Sequence, residues 1–194
     1  MGKLFHYGLT SGKIPWKLSF LSLLILLASF TIGYVLGGQL SEPLIEILKK
    51  LYGETFNLPL PLLTILIFAN NFAKSFVAML LGIILGIPPL LFIFANGLIL
   101  GIIGYAIVRD YGIWFFLAGI LPHGVLEIPA VILSVALGVK LGLAVLGKFK
   151  HREVSVKETL LSCIRSYLFV VLPLLAIAAF VESHITPLIL RLAS

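Results

Sequence analysis

Charge is scarce in this chain. Only 11% of its 194 residues are Asp, Glu, Lys or Arg, while 60% are hydrophobic; a soluble domain carries roughly a quarter charged residues. That shortage, with a mean hydropathy of +1.17, excludes a soluble globular enzyme. It predicts an all-α polytopic membrane protein with little mass outside the bilayer. Cysteine is scarcer still, with Cys163 the single one. This excludes an intrachain disulfide and zinc-ribbon spacing, and in its apolar run Cys163 reads as a small buried hydrophobe. Acid is short as well, 8 Asp and Glu against 14 Lys and Arg, for a net charge of +6. The basic excess gathers near predicted membrane boundaries, where positive-inside bias and anionic lipid account for it, so nucleic acid is not the expected partner. No repeat, low-complexity tract or domain linker stands out. The first apolar run, Leu18 to Leu36, is too long for a signal-peptide core and reads as a retained signal anchor.

What is present is a series of long apolar segments. Five are long enough to cross a ~30 Å hydrocarbon core: about 17–38, 59–87, 90–108, 123–146 and 159–181. Residues 1–16 form a basic cytoplasmic tail and 188–194 a second tail. Gly37-Gly38 ends the first span. Residues 41–53 then read as an interfacial amphipathic helix, with Ser41 as its cap, Pro43 in its first turn and Gly53 at its end. The second span is longer than a bilayer needs, which implies a tilt or a break near Asn70-Asn71, and Pro88-Pro89 makes the turn after it. Residues 112–122 are too short to cross and are interrupted by Pro122 and Gly124, so they read as a re-entrant half helix. Non-helical backbone at that depth requires protein or a wet cavity around it.

Charge sets the expected orientation. With the amino terminus inside, cytoplasmic segments hold Lys3, Lys13, Lys17, Lys148, Lys150, Arg152 and Lys157, and external ones hold Lys49, Lys50, Arg109 and Arg191. Seven against four favours a cytoplasmic amino terminus and an external carboxyl terminus in the cell membrane.

The polar residues inside these spans carry the functional question, because an ionisable group at membrane depth costs several kcal/mol unless it is paired, hydrated or used. His123 and Glu127 lie four residues apart, about one helical turn, and so share a face. One reading is a metal or proton site. The other is structural: Glu127 held by a hydrogen bond or ion pair, with His123 capping the start of a helix. Lys74 needs a partner or a path to the interface, and Glu127 or Glu182 is the candidate. Asn70, Asn71 and Asn96 suit hydrogen bonds across helices or the lining of a pore. Glu182 and His184 end the last span on the side of His123. His123, Glu127, Glu182 and His184 can converge at the external face, the one route to a full metal shell, and His123, Glu127 and Glu182 are the candidate ligands for a divalent metal such as zinc, which wants three or four. Arg165 reads as a side chain snorkelling to lipid phosphate. Gly82-x-x-x-Gly86, Gly97-x-x-x-Gly101 and Gly138-x-x-x-Gly142 permit close helix contact, within the bundle or in a homodimer.

Taken in order, Asn70-Asn71, Asn96-Gly97, Leu121-Pro122-His123-Gly124, Glu127, Pro129-Ala130, Ala179, Glu182 and Thr186-Pro187 resemble the stage II sporulation protein M family of integral membrane proteins. The resemblance spans roughly residues 60–187, and its most specific part is the Pro-His-Gly block with its Glu and Pro. His184 lies outside the matching pattern. The resemblance implies a polytopic protein similar to the sporulation member, which anchors a peptidoglycan-degrading complex and recruits the hydrolases without being one.

Three functions fit these residues. The first is a non-enzymatic membrane scaffold or assembly component that docks membrane or cell-envelope proteins. The second is a transporter or channel component using the His123/Glu127 site, since transporters build binding sites at broken helices. The third is an intramembrane metal-dependent enzyme.

Overall fold

The computed structural model describes residues 14–53, 58–150 and 154–193, and these are helical, with no strand among them. The basic tail up to Lys13, and Arg152 between the fourth and fifth predicted spans, lie outside the described residues. Among the described residues, five helices are long and apolar enough to cross a membrane. They are α1 (Trp16–Tyr52), α2 (Leu60–Leu80, continued by a 3-10 turn Leu81–Ile83), α3 (Ile87–Tyr111), α4 (Ile113–Phe149) and α5 (the span Val156–Leu192). The chain is therefore an all-α, multi-pass membrane protein.

α4 is the hub. Its apolar stretch is 72% buried, against 22–33% for the other four spans. Alanines, glycines and branched residues fill its middle, with Ala130, Val135, Ala136, Leu137 and Ala144 fully covered. The helices close on one another through glycine, as membrane bundles do when lipid tails remove any hydrophobic drive between them. A Cβ on Gly82 would strike the Gly138 carbonyl, and one on Gly142 would strike the Gly86 nitrogen. The two glycine pairs thus form one contact between the α2–α3 turn and α4. Gly97 and Gly101 of α3 meet α1 the same way, at the Ser29 hydroxyl and the Phe30 carbonyl.

Several boundaries differ from the sequence reading. Gly37-Gly38 does not end α1. Gly37 lies against the Tyr105 ring, and one helix runs through Ser41 and Pro43 to Tyr52. The separate interfacial helix 41–53 is thus the end of α1. At 37 residues and 1.5 Å per residue, α1 is about 55 Å long and outreaches a bilayer. Its charged extension is tied back by Arg109, whose guanidinium donates to Glu42 at 2.9 Å and to Asp110 at 2.6 Å. α2 is unbroken at Asn70-Asn71 and turns at Leu85 (φ 55) and Gly86 (φ 77). Pro88-Pro89 starts α3 instead of making the turn, because proline needs no donor in a first helical turn.

The half helix 112–122 is absent as a separate element. Gly112 (φ 86) alone joins α3 to α4, and α4 passes through Pro122 and Pro129 without a break. Inside a bundle, neighbouring helices compensate the donor that proline lacks, so Pro122 is tolerated in mid-helix.

α5 begins at Val156 because Ser155 caps it, its side chain accepting from the Glu158 amide at 3.2 Å. This Ser-x-x-Glu box moves the start upstream of residue 159. The helix continues to Ala193, so residues 188–193 are not a free tail. Two π-helical turns interrupt α5, Tyr167–Val171 and Val181–Ile185. Each lies just ahead of a proline, Pro173 and Pro187. A proline ring clashes with the carbonyl four residues back and offers it no donor. The backbone bonds shift to i→i−5 instead, Leu172 donating to Tyr167 and Thr186 to Val181.

Candidate functional site

α4 brings His123 and Glu127 to one face at about 15 and 21 Å from its first residue, by the rise of an α-helix. The second π turn of α5 adds Glu182 from across the bundle. One ligand atom from each of His123, Glu127 and Glu182 lies within 4.8 Å of the other two. All three residues are half-buried. Among the described residues, neither carboxylate has a hydrogen bond or an ion pair. Two ionised carboxylates at that separation repel by about 3.5 kcal/mol at an effective dielectric constant of ~20. The arrangement therefore calls for a proton or a cation.

The imidazole is held. Thr186 Oγ1 donates to the Val181 carbonyl at 3.3 Å and stands 3.3 Å from His123 Nδ1. When the hydroxyl donates to that carbonyl it accepts Nδ1–H, and Nε2 is then the nitrogen with a free lone pair. The π turn is anchored on its other side by Ser183, 2.8 Å from Thr64 of α2 and donating to the Ala179 carbonyl at 2.8 Å.

A cleft of about 210 Å³ opens over His123 and Glu127, walled by Leu26 of α1, Asn96, Ile99 and Ile103 of α3, and Val131 of α4. A mostly apolar wall with a few convergent polar groups is the usual form of a binding site. The cleft forms without an interrupted helix, in the gap between α3 and α4.

Other candidates are placed elsewhere. Asn96 faces the cleft, but its amide donates back to the Phe92 carbonyl at 2.8 Å. Asn70 donates to Asn71 at 3.3 Å, and neither lines the cleft. Lys74 is exposed. No ion pair joins it to Glu127 or Glu182 among the described residues, which corrects the expected pair. His123 sits in mid-helix and caps nothing. The His184 ring stacks on Phe180 at 4.4 Å, and its Nδ1 is 2.8 Å from Ser183 Oγ, so it is not a fourth member. Arg165 is exposed. Cys163 is fully buried, its thiol donating to the Leu137 carbonyl at 3.4 Å.

Sequence reasoning missed three features. Thr186 as the imidazole's partner was signalled by the Thr-Pro step, since a hydroxyl before a proline can serve the freed backbone. Tyr167 is fully buried, its hydroxyl 2.7 Å from Ser75 and donating to the Phe72 carbonyl at 3.1 Å. Lys140 is only 1% exposed; a single lysine in an apolar run gave no hint of that burial.

The family model described as Stage II sporulation protein M matches residues 22–187. The chain belongs to that family. No curated protein and no solved structure matches it. The matched region includes all of the His123, Glu127 and Glu182 cluster, and it begins within α1. The family's extent thus coincides with the five-helix bundle and not with α4 and α5 alone.

Proposed function

We propose that this chain is a non-enzymatic scaffold of the cell membrane that docks other membrane or cell-envelope proteins, with its amino terminus cytoplasmic and its carboxyl terminus external. One observation carries the reading. Lys74 and Asn96 stand exposed near the middle of their spans, Leu60–Ile83 and Ile87–Tyr111. An ammonium facing acyl chains at that depth costs roughly 2.5–3.5 kcal/mol even on insertion scales. A partner protein offering an acid or carbonyls across the α2–α3 face removes that cost. Lys74 lies in a shallow groove there with Val77, Leu81, Pro88 and Phe92. Family membership supports the same reading through the sporulation member, which anchors hydrolases.

A photocrosslinking residue at Val77, which is 51% exposed, tests this in native membranes. The expected result is an adduct of one discrete protein mass, a second copy of the chain included, that disappears in Lys74→Leu while helicity is unchanged. Adducts with lipid alone would overturn it. A second reading, a transport component, draws on the cleft over His123 and Glu127. Proton, ion and lipid flux into liposomes of pure protein checks it, and no flux across that panel removes it.

A further inference from the structure

We propose that His123, Glu127 and Glu182 bind one divalent transition-metal ion of the zinc class within the membrane, independently of any docking role. The donor set is one imidazole nitrogen and two carboxylates, from α4 and from the second π turn of α5, with donor atoms within 4.8 Å of one another. Around a tetrahedral zinc with ligand bonds of 2.0–2.1 Å, neighbouring donors stand about 3.3 Å apart. The remaining approach falls to the Glu127 and Glu182 side chains, which carry three rotatable bonds each.

Charge selects a dication. Two carboxylates and a neutral imidazole balance one doubly positive ion, so the filled site carries no net charge at a depth where net charge is costly. Ligand chemistry selects the class. Calcium takes six to eight oxygens, and magnesium keeps much of its water shell, whereas an imidazole beside carboxylates suits zinc, manganese or iron(II). The support around the site matches what ligating histidines require, a fixed partner on the other ring nitrogen. Thr186 Oγ1 is that partner at 3.3 Å from Nδ1, and the π turn that holds Thr186 also carries Glu182. Three protein ligands leave a coordination position open, and His123 and Glu127 line a cleft of about 210 Å³ through which water or a ligand can reach it.

The test uses the full chain without a histidine tag, purified in nanodiscs without chelators. Zinc is measured by elemental analysis and by equilibrium titration with Zn²⁺ alone, with Mg²⁺ and Ca²⁺ as competitors. The expected result is one zinc per chain, undisturbed by millimolar Mg²⁺ or Ca²⁺, and an X-ray absorption shell of nitrogen and oxygen at roughly 2.0–2.1 Å. Glu127→Gln and Glu182→Gln weaken binding at least about tenfold with helicity and thermal midpoint retained, while His184→Ala binds as the unaltered chain does. Failure of the unaltered chain to bind zinc stoichiometrically would overturn the proposal, as would equal binding by the two glutamine variants or loss in His184→Ala alone. A carboxyl pair sharing a proton would show itself as the first of these. The docking test reads the α2–α3 face and is unaffected by any of these results.

Discussion

The two π turns of α5 use one backbone device for opposite ends. At Tyr167–Val171 the wide turn sets Tyr167 fully inside the bundle, where its ring meets Phe76 edge-on at 5.0 Å and Phe72 at 6.0 Å. Its hydroxyl joins Ser75 and the Phe72 carbonyl, Ser75 donates to the Asn71 carbonyl at 2.6 Å, and Ser134 of α4 donates to the Ser75 carbonyl at 2.7 Å. These hydroxyls all have partners, and three helices are locked together. At Val181–Ile185 the same distortion delivers Glu182 and Thr186 to α4, but the acids it assembles are unpartnered and half-buried. A satisfied polar network specifies packing, and a partly satisfied one is costly unless something completes it. The first turn is therefore read as architecture and the second as a site.

The contrast is broken most severely at Tyr167. Tyr167→Ala removes a ring at the centre of a cluster that includes Met79, Leu137, Val171 and Leu175, and large-to-small changes of aromatics cost about 3–5 kcal/mol. Thermal unfolding in detergent should show a loss of this size, whereas a change below about 1 kcal/mol would mean the first turn is not structural. A milder break is Pro187→Ala. It restores a donor for the Ser183 carbonyl and lets the second turn relax toward α-helix, with a net stability change within about 1 kcal/mol. Its signature is geometric. The zinc titration should weaken severalfold in Pro187→Ala, as Glu182 and Thr186 shift away from His123, while the melting curve holds. An unchanged titration would detach the π turn from its proline.

Much of this was legible in the residues. Hydropathy located the five spans because twenty apolar residues have few other uses. The meeting of Glu182 with His123 and Glu127 followed from placing both helix ends on one side of the membrane. What stayed hidden was backbone detail. Glycines, Ser41 and Pro43 resemble stop and cap signals, yet in α1 they permit close approach to α3 within one helix. Pro122 looked like a break because proline rules come largely from helices exposed to water. An i→i−5 turn leaves no trace in apolar periodicity, so only the prolines at 173 and 187 hinted at it. Depth alone pairs Lys74 with an acid, and depth does not say which way a side chain faces.

Smaller changes sharpen the comparison at the second turn. Glu182→Gln removes one of two mutually repelling acids, so the apo protein should hold its stability or gain up to about 1 kcal/mol, the reverse of what loss of a structural hydrogen bond produces. A loss above that would show Glu182 to be architectural after all.

Thr186→Val has the smallest expected effect on the fold. It deletes two long hydrogen bonds, to the Val181 carbonyl and from His123 Nδ1, both at 3.3 Å, and fills the same volume with a methyl. Interhelical hydrogen bonds in membrane bundles average about 0.6 kcal/mol, so the unfolding midpoint should hardly move. The imidazole, however, loses the acceptor that sets its tautomer, and partners of this kind change metal affinity by roughly 10–100-fold when removed. A weakened zinc titration with an unchanged melting curve would separate orientation of the ligand from stability of the bundle. A matching loss in both would place Thr186 with Tyr167, as packing.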